Sequence, residues 1–228
     1  MLQDFPEANA ITIDTYQQIA PIYADSHNLV RLPAFWQERL QRFASTLRSC
    51  PAYQANPALP VLDMGCGPGR DSLLLAQMGF NVLGADLSES MLDEARKRYQ
   101  GQPGGERITF RRMDMHNLDL PDASCAGLWV SASFLHIPKR ENLVVLKELV
   151  RVLVPGGPIM MSVKESDSGD DEHYEVHETG KIRFFARYRG SELWALLEQA
   201  GLRVDEITTA IDERFSDGRR WLRALAIK

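Results

Sequence analysis

Apolar residues downstream of position 58 come in short runs that alternate with amphipathic stretches. The short runs predict strands over 60–64, 80–85, 107–112, 125–131 and 158–163. The amphipathic stretches predict helices over 70–78, 88–99, 139–153 and 190–200. Because strands that alternate with helices are joined by right-handed crossovers, this order predicts an α/β fold with a mainly parallel sheet and helices on both faces.

The last part of the chain follows a different pattern. Gly201 is expected to end a helix, and two apolar stretches then follow, over 204–211 and 220–227. Asp217 and Gly218 lie between these stretches and form a dipeptide that is typical of hairpin turns. We therefore expect two antiparallel strands that close the sheet.

Residues 1–58 predict a helical cap outside the sheet. Apolar side chains recur at helical spacing over 11–24, where Pro21 is expected to break the helix, and again over 33–48. Pro51 and the proline-rich stretch after it predict an irregular link to the first strand. The whole chain, 1–228, is expected to form a single domain.

The segment 164–189 separates the fifth strand from the helix over 190–200. Its first part is acidic and rich in turn-forming residues, which predicts mobility, and its second part is aromatic and basic. A loop of this length beside a sheet is more often functional than idle. We expect it to form a lid on the substrate side.

The composition indicates which classes of binding partner are not expected. The chain has 26 Lys or Arg and 31 Asp or Glu, and its net charge of -5 gives no positive field for nucleic acid or an anionic membrane. The 3 cysteines show neither a disulfide framework nor zinc spacing. The first residues lack the pattern of a signal peptide, and no apolar run approaches the ~20 residues that span a bilayer. A cytoplasmic protein is expected, and its oligomeric state stays open.

A glycine-rich turn follows the first strand, with the sequence Val-Leu-Asp-Met-Gly-Cys-Gly-Pro-Gly-Arg-Asp at 61–71. Glycines at alternate positions allow a ligand to approach the backbone closely. Asp86 ends the next apolar strand. In an open α/β sheet, a glycine turn after one strand and an acid at the end of the next form a nucleoside site.

The spacing of the glycines favours a nucleoside without a pyrophosphate. The dinucleotide fingerprint G-x-G-x-x-G fits at Gly65 and Gly67, but Arg70 occupies its third glycine position. Asp63 also places a carboxylate two residues before Gly65. That negative charge opposes a pyrophosphate but attracts a cationic ligand.

These residues resemble motif I of the class I S-adenosylmethionine (SAM) methyltransferases, and the resemblance extends over nearly the whole chain. It implies a Rossmann-like sheet of seven strands, mostly parallel, in which the C-terminal hairpin supplies strands six and seven. It also implies SAM as the cofactor. The residues that it places at the cofactor are Tyr16, Tyr23, Asp63, Gly65, Cys66, Gly67, Arg70, Asp86, Leu87, Ser88, Met91, Asp114, Met115 and Ser131.

The resemblance implies particular roles for some of these positions. Asp86 matches the acid that accepts hydrogen bonds from both ribose hydroxyls, which a carboxylate can do because it has enough lone pairs. Leu87 and Met91 match apolar groups that lie against adenine. Asp114 matches the residue that faces the adenine amino group, and Met115 matches a backbone contact beside it.

Each position also has a purely structural interpretation. Asp86 is suited to cap the following helix, Asp114 to form a turn, and Met91 to fill the core. Tyr16 and Tyr23 are suited either to the SAM carboxylate or the substrate, or to packing an amphipathic helix on the sheet. The ligand-binding interpretation rests on the joint occurrence of these residues, in order, at this spacing.

The fourth strand ends in a loop that borders the methyl-transfer point in the family. Ser131 and Ser133 stand where some members carry an acid or amide that holds an amino substrate. The ordinary pKa of His136 suits a catalytic general base, whereas the structural alternative packs its ring under the next helix. The residues expected to line the substrate pocket are Phe134, Arg183, Phe184, Phe185 and Tyr188.

His173 and His177 are spaced like two metal ligands on a helix. The turn-rich acidic sequence around them does not predict a helix, so no metal site is expected.

The sequence thus predicts transfer of a methyl group from SAM to a small-molecule acceptor, without nucleic-acid or membrane partners. Transfer from a sulfonium is an in-line displacement, for which a protein mainly positions the reactants and excludes water. Two alternatives stay open. One is a SAM-binding sensor or partner protein without catalysis, and the other is a NAD(P)-dependent oxidoreductase.

Overall fold

The computed structural model describes residues 7–27, 34–166, 171–211 and 218–228. The helices within these ranges are α1 (Ala8–Ser26), α2 (Ala34–Arg48), α3 (Pro51–Ala55), α4 (Arg70–Gln77), α5 (Glu89–Tyr99), α6 (Asn142–Val152) and α7 (Gly190–Gln199). The strands are β1 (Val61–Met64), β2 (Val82–Asp86), β3 (Ile108–Arg112), β4 (Gly127–Ser131), β5 (Pro158–Glu165), β6 (Glu172–Val176), β7 (Ile182–Tyr188), β8 (Arg203–Ile211) and β9 (Arg220–Ile227). Short 3₁₀ turns cover Gly105–Arg107, Phe134–His136 and Lys139–Glu141.

The strands form one sheet with a parallel centre. β3, β2, β1, β4 and β5 lie side by side in that order and run parallel. β9 pairs antiparallel with β5 along Pro158–Lys164, and β8 pairs antiparallel with β9. These elements confirm the predicted Rossmann-like sheet, which is mostly parallel and carries an antiparallel C-terminal hairpin.

A second hairpin extends the sheet beyond the predicted strands. β7 pairs in parallel with the last two residues of β5, and β6 pairs antiparallel with β7. The segment 164–189 therefore contains two strands rather than a loop. Residues 167–170, in its acidic first part, lie outside the described residues.

Two apolar layers cover the central strands, because strands of a parallel sheet bury both faces. Along β4, Trp129 belongs to the layer under α2, α3 and α4, whereas its neighbour Leu128 belongs to the layer under α6 and α7. Both side chains are fully buried. The alternation places helices on both faces, as predicted, and leaves the carboxyl ends of the parallel strands as the edge where the glycine turn lies.

Pro21 does not break the first helix, contrary to the sequence-based expectation. α1 continues through it to Ser26, and the N–H of His27 closes the last turn on the Tyr23 carbonyl. A proline inside a helix removes the bond to the carbonyl four residues earlier, here that of Gln17. The helix persists because α1 packs against both α5 and β7 along its length.

Some expectations about the connections differ from the structure or fall outside it. The link before β1 contains the short helix α3, because Pro51 suits the first turn of a helix. Residues 1–6 of the predicted cap, the first residue of the helix predicted over 33–48, and Asp217 of the predicted hairpin turn lie outside the described residues. None of the helices in the described ranges has the length and apolar character that a bilayer crossing requires.

Candidate functional site

The glycine-rich turn at the end of β1 lies against the end of β2. Gly65, Gly67 and Gly69 all have left-handed backbone angles, with φ of +72°, +52° and +80°. The N–H groups of Gly65 and Cys66 donate to the Ala85 carbonyl, at 2.7 and 2.9 Å. A side chain at Gly65 would collide with Ser133, whereas one at Gly67 would meet nothing within 4 Å. The turn therefore leaves open space above Gly67.

Asp86 is held at this edge by backbone N–H groups. Gly67 donates to one oxygen of its carboxylate and Ser88 to the other, each at 2.9 Å. Burial raises the pKa of Asp86, and these hydrogen bonds oppose the rise. Ser88, and not Asp86, caps α5, because its Oγ accepts from the Met91 N–H. Each oxygen of Asp86 keeps lone-pair capacity for a further donor.

Asp63 is a second carboxylate at the same edge and is only 2% exposed. The Ser72 hydroxyl donates to it at 2.6 Å. Burial and the neighbouring charge of Asp71 raise the pKa of Asp63. Arg70 instead donates to Asp71, at 2.8 Å, so the arginine expected at the cofactor is engaged with a neighbour in its own helix. Asp63 makes no ion pair with the described residues.

Asp114 follows β3 and lies next to the strand that carries Asp86. The N–H of Met113 donates to the Asp86 carbonyl at 3.1 Å, which joins the two strand ends. One oxygen of Asp114 accepts from the backbone and the ring of His116, at 2.9 and 2.7 Å. The other ring nitrogen of His116 contacts Glu141 at 2.9 Å. These bonds lower the pKa of Asp114 and raise that of His116.

The remaining predicted cofactor residues on this side differ in exposure. Leu87 and Met115 are half-buried, whereas Met91 is only 1% exposed. Cys66 is also buried, and burial raises the pKa of its thiol well above the ordinary value. A neutral thiol suits a small turn residue and not a nucleophile.

Helix α1 lies across the edge that carries these carboxylates. Gln17 accepts from the Ser88 hydroxyl at 2.9 Å and from the Ser90 N–H at 2.8 Å. Tyr16 and Tyr23 pack edge to face, with ring centroids 5.4 Å apart. The helix therefore brings both predicted tyrosines to the site.

Tyr16 connects this edge to the loop after β4. Its hydroxyl lies 2.9 Å from Nε2 of His136, and Arg183 donates to the same hydroxyl at 3.2 Å. Nδ1 of His136 lies 2.6 Å from the Phe184 carbonyl, which can only accept. Nδ1 therefore carries the proton, and Nε2 accepts from Tyr16.

The environment of His136 changes its predicted role. Burial, with the nearby charges of Arg183 and Lys164, lowers the pKa of His136 to about 3. The ring is neutral at physiological pH and is a weak base. The ordinary histidine pKa assumed from the sequence is therefore wrong for this position, because the ring is enclosed between α1 and β7.

The residues expected to line the substrate pocket fall into two groups. Phe134, Phe184 and Tyr188 are fully buried in the core, and they support the wall of the site instead of facing a bound molecule. Phe185 and Arg183 lie on the site side, since the Phe185 ring is 4.7 Å from the His136 ring and 5.2 Å from the Arg183 guanidinium.

The serines after β4 are bonded within the protein. Ser131 Oγ lies 3.3 Å from Ser162 Oγ, and Ser133 donates to the Met64 carbonyl at 2.6 Å. Ser133 is buried beside Gly65, whereas Ser131 is partly exposed. Of the two, Ser131 is the one with access to a ligand.

The pair of histidines with metal-ligand spacing lies on and just after an edge strand. His173, on β6, contacts Glu175 at 3.0 Å, and His177 contacts Thr179 at 2.9 Å. The described part of the chain contains no group of three or more side chains that is arranged to hold a metal ion.

Three residues at this edge carried no sequence signal. They are Arg39 on α2, Gln17 on α1 and His116 after β3. The role of each depends on contacts with residues that are far away in the sequence. A motif scan has no means of finding such contacts.

A family model described as a methyltransferase domain matches residues 61–157. Methyltransferase GfsG of Streptomyces halstedii is 32% identical over 157 residues, which are 67% of this chain and 56% of that protein. The chain spans about half the length of the curated relatives that it matches.

Solved structures share the fold at low identity. One is the 1,6-didemethyltoxoflavin-N1-methyltransferase of Burkholderia thailandensis, solved with 1,6-didemethyltoxoflavin and S-adenosylhomocysteine. It superposes with a TM-score of 0.68 at 22% identity, and the match covers 99% of this chain and 93% of that one. The cyclase SpnF superposes with a TM-score of 0.70 at 17% identity, covering 94% of each chain. The fold is thus shared with a protein that is described as a cyclase and not as a methyltransferase.

Proposed function

This chain belongs to the class I SAM-dependent methyltransferases, and from that membership we propose that it transfers a methyl group from SAM to a small-molecule acceptor. The observation that carries the proposal is the pair of carboxylates beside the glycine turn. Asp86 is held by two backbone N–H groups, and Asp63 is buried without an ion-pair partner among the described residues. A NAD(P)-dependent oxidoreductase does not fit this family.

The residues present fit a nucleoside with a cationic tail. Asp86 retains lone pairs for the two ribose hydroxyls, and Asp114 has one oxygen that no described residue uses. The space above Gly67 admits a ligand against the backbone. Asp63 supplies a negative charge for a sulfonium or an ammonium in a partly desolvated cleft.

When bound, SAM supplies a methyl group on a sulfonium, and its in-line transfer leaves a neutral thioether. The protein's part is to position the acceptor and exclude water. Helix α1 covers the edge through Gln17 and Tyr16. Nε2 of His136 already accepts from the Tyr16 hydroxyl, and the low pKa of the ring gives it little basicity. The acceptor must therefore arrive with an available lone pair or as a readily formed anion.

The acceptor side supports a planar molecule with an acidic group. The Arg183 guanidinium lies 5.5 Å from the centroid of the Tyr16 ring and 5.2 Å from that of the Phe185 ring. Arg183 makes no ion pair with the described residues, so its charge is available to an anion. An arginine suits a carboxylate or an acidic hydroxyl because its donors form a planar fork.

Calorimetric titration with S-adenosylhomocysteine tests the donor site without knowledge of the acceptor. We expect saturable binding that Asp86→Ala weakens by roughly 10- to 100-fold, because hydrogen bonds to a charged group contribute about 1.5–3 kcal/mol each. Asp93→Ala is the matched control, since Asp93 is an exposed carboxylate on α5 that pairs with Arg96. NADH should give no heat of binding.

Absence of binding to the folded chain contradicts the donor site, and so does an equal effect of the two variants. Transfer itself is tested by incubation with methyl-labelled SAM and a panel of acids, phenols, amines and thiols. Label in a product supports the enzyme. Tight binding without transfer to any acceptor favours the alternative of a SAM-binding protein that does not methylate.

That alternative has one structural observation in its favour. His136 is neutral and bonded on both ring nitrogens, so the loop after β4 offers no strong base. Methyl transfer does not require a base when the acceptor is already anionic, and for this reason we favour the enzyme. The same fold in a cyclase illustrates that fold does not fix function.

We propose the cytoplasm as its compartment and a small molecule as its partner. Cys50, Cys66 and Cys125 are all buried free thiols, which is typical of proteins in a reducing environment. The net charge of -5 does not favour a nucleic-acid substrate.

A further inference from the structure

His116, which follows β3, lies between two carboxylates from different parts of the chain. Its Nδ1 is 2.7 Å from Oδ1 of Asp114, and its Nε2 is 2.9 Å from Oε2 of Glu141. Ionised carboxylates only accept hydrogen bonds, so both ring nitrogens donate and the ring carries its second proton. The geometry therefore indicates an imidazolium, and the hydrogen bonds to Asp114 and Glu141 raise the pKa of His116.

This cation fixes the plane of the Asp114 carboxylate. Oδ1 of Asp114 accepts from the backbone N–H of His116 at 2.9 Å and also from the ring of the same residue. The backbone bond alone is an ordinary feature of Asp in turns, whereas the ring adds a second donor to the same oxygen. Two donors on one oxygen oppose rotation of the carboxylate. They leave its Oδ2 without a partner among the described residues.

Glu141, which directly precedes α6, holds the ring from its other side. Its Oε2 also accepts from Asn9 on α1 at 3.5 Å, and Arg140 donates to its Oε1 at 3.1 Å. Within the part of the chain that the structure describes, Asp114 and Glu141 are the charged groups that face the ring, and Arg140 lies behind Glu141. The orientation of the ring thus depends on both carboxylates.

Asp114 is also joined to the donor site. It directly follows Met113, whose N–H donates to the Asp86 carbonyl at 3.1 Å. The side chain of Asp114 is 46% exposed at this edge, so its Oδ2 is accessible to a ligand. A carboxylate oxygen accepts a hydrogen bond from an amino group but offers none to a carbonyl oxygen. A fixed Oδ2 therefore distinguishes a base with an exocyclic amine from a base with a ketone.

We propose that His116 is a positioning residue that, held by Glu141, orients Asp114 so that the donor site selects adenine over hypoxanthine. This assignment rests on the SAM-dependent function proposed above. Selectivity is greatest while His116 is charged. As the pH rises through the raised pKa of the ring, His116 loses one of its two donors, and the carboxylate of Asp114 is held less firmly.

The test compares S-adenosylhomocysteine with S-inosylhomocysteine, which has the same ribose and amino-acid tail but a ketone in place of the adenine amino group. In calorimetric titrations at about pH 6, below the ordinary histidine pKa, the parent chain should prefer the adenosyl ligand by roughly 10- to 100-fold. Asp114→Asn should remove most of this preference, because an amide can serve either base. The pH responses of Asp63 and Asp86 cancel from the ratio of the two affinities, since both ligands share the ribose and the tail.

His116→Gln should lower the preference by roughly 3- to 10-fold, the effect of about one hydrogen bond. In the parent the ratio of affinities should fall between about pH 6 and about pH 8, whereas in His116→Gln it should stay constant. His116→Arg keeps a charge and several donors over this range, so it should restore the preference without its pH dependence. His177→Gln is the matched control, because His177 lies after β6 and contacts Thr179. It should leave the ratio and its pH dependence as in the parent.

Thermal melting of each variant without ligand separates a fold defect from lost selectivity. The proposal is overturned if folded His116→Gln keeps the ratio of the parent and its pH dependence, even where both ligands bind more weakly. It is also overturned if the parent binds the two ligands equally or if Asp114→Asn keeps the preference. Failure of the parent chain to bind either ligand would instead refute the donor function.

Discussion

Asp63 and Asp86 end neighbouring strands, yet the two carboxylates have different partners. Backbone N–H groups hold both oxygens of Asp86, whereas a single hydroxyl, that of Ser72, donates to Asp63. The charge of Asp71 further disfavours the ionised form of Asp63. Burial raises the pKa of both carboxyl groups, but the charge of Asp71 raises that of Asp63 further, so we expect a ligand to change the protonation of Asp63 more.

We expect the affinity for SAM to rise with pH. Because the pKa of Asp63 is raised in the free protein, some of these carboxyl groups hold a proton below that pKa. A bound cation favours the ionised form, so binding releases the proton, and affinity increases until the pH passes the raised pKa. Titrations in two buffers with different ionisation enthalpies would measure the released protons.

Asp63→Asn is the control for that dependence. The variant should bind SAM more weakly and lose most of the pH dependence, because the amide carries no titrating proton. Proton uptake on binding would contradict the mechanism, as would a pH profile that Asp63→Asn leaves unaltered.

At the scale of residues, the sequence predicts those site residues whose position depends on local spacing. Asp63, Gly65 and Asp86 follow strand ends, and the structure places them together at one edge. The low pKa of His136 could not be predicted from the sequence, because it depends on enclosure of the ring by α1 and β7. The burial of Arg39 without an ion pair to the described residues could not be predicted either, since it results from the packing of α2 over β4.

Among the elements, the short helix α3 and the β6–β7 hairpin were not predicted from the sequence, and the hairpin is the larger of the two. On the side that faces the site, the side chains of the hairpin are mostly charged, whereas most strands have apolar side chains on such a face. Glu175 contacts Lys164 at 2.7 Å and also contacts Arg187 and His173. An edge strand that is anchored by ion pairs lacks the alternation of apolar and polar residues that identifies strands. The sequence of this segment therefore predicts an acidic, turn-rich loop in place of the hairpin.

The two partners of this ion pair should differ in their effect on stability. Glu175→Gln leaves the Lys164 ammonium, on a side chain only 9% exposed, without its carboxylate, and should cost about 3 kcal/mol. Lys164→Met should cost less, because Glu175 keeps Arg187 and His173. Urea unfolding of both variants measures the difference, and equal losses would contradict the assignment.

The pH dependence of this cluster has a definite sign. The pKa of Glu175 is lowered from 4.5 to about 2, chiefly by Lys164 acting against burial. The folded state therefore favours the ionised form, and the stabilisation is complete above pH 4.5 and is lost as the pH falls toward 2. Glu175→Gln should remove this part of the acid sensitivity.

On the scale of the whole molecule, α1 connects the two halves of the site. Gln17 accepts from Ser88 and Ser90 at the start of α5, while Thr12 and Thr15 bond the backbone of β7 at Phe184 and Ile182. The donor and acceptor sides are thus covered by one helix. This arrangement was not evident in the sequence, where Gln17 is 71 residues from Ser88 and Thr15 is 167 residues from Ile182.

Ligand binding should therefore protect α1 as well as the turn that it covers. We expect S-adenosylhomocysteine to slow amide hydrogen exchange in Ala8–Ser26 and in β7, because opening the helix exposes the bound nucleoside. Hydrogen exchange with mass spectrometry measures this. Gln17→Ala should reduce the protection of α1. Protection confined to the glycine turn would show that α1 does not cover the ligand.

The position of β9 in the sheet has a consequence for how the chain folds. β9 lies between β5 and β8, although it follows β8 in the sequence. Among the described strands, β8 has no pairing partner except β9. β8 meets β9 as its neighbour in the sequence, but β5 stays open on one edge until β9 returns across the loop between Lys164 and its partner Trp221. We expect closure of that loop to slow folding, because it costs chain entropy before the β5–β9 pairing forms.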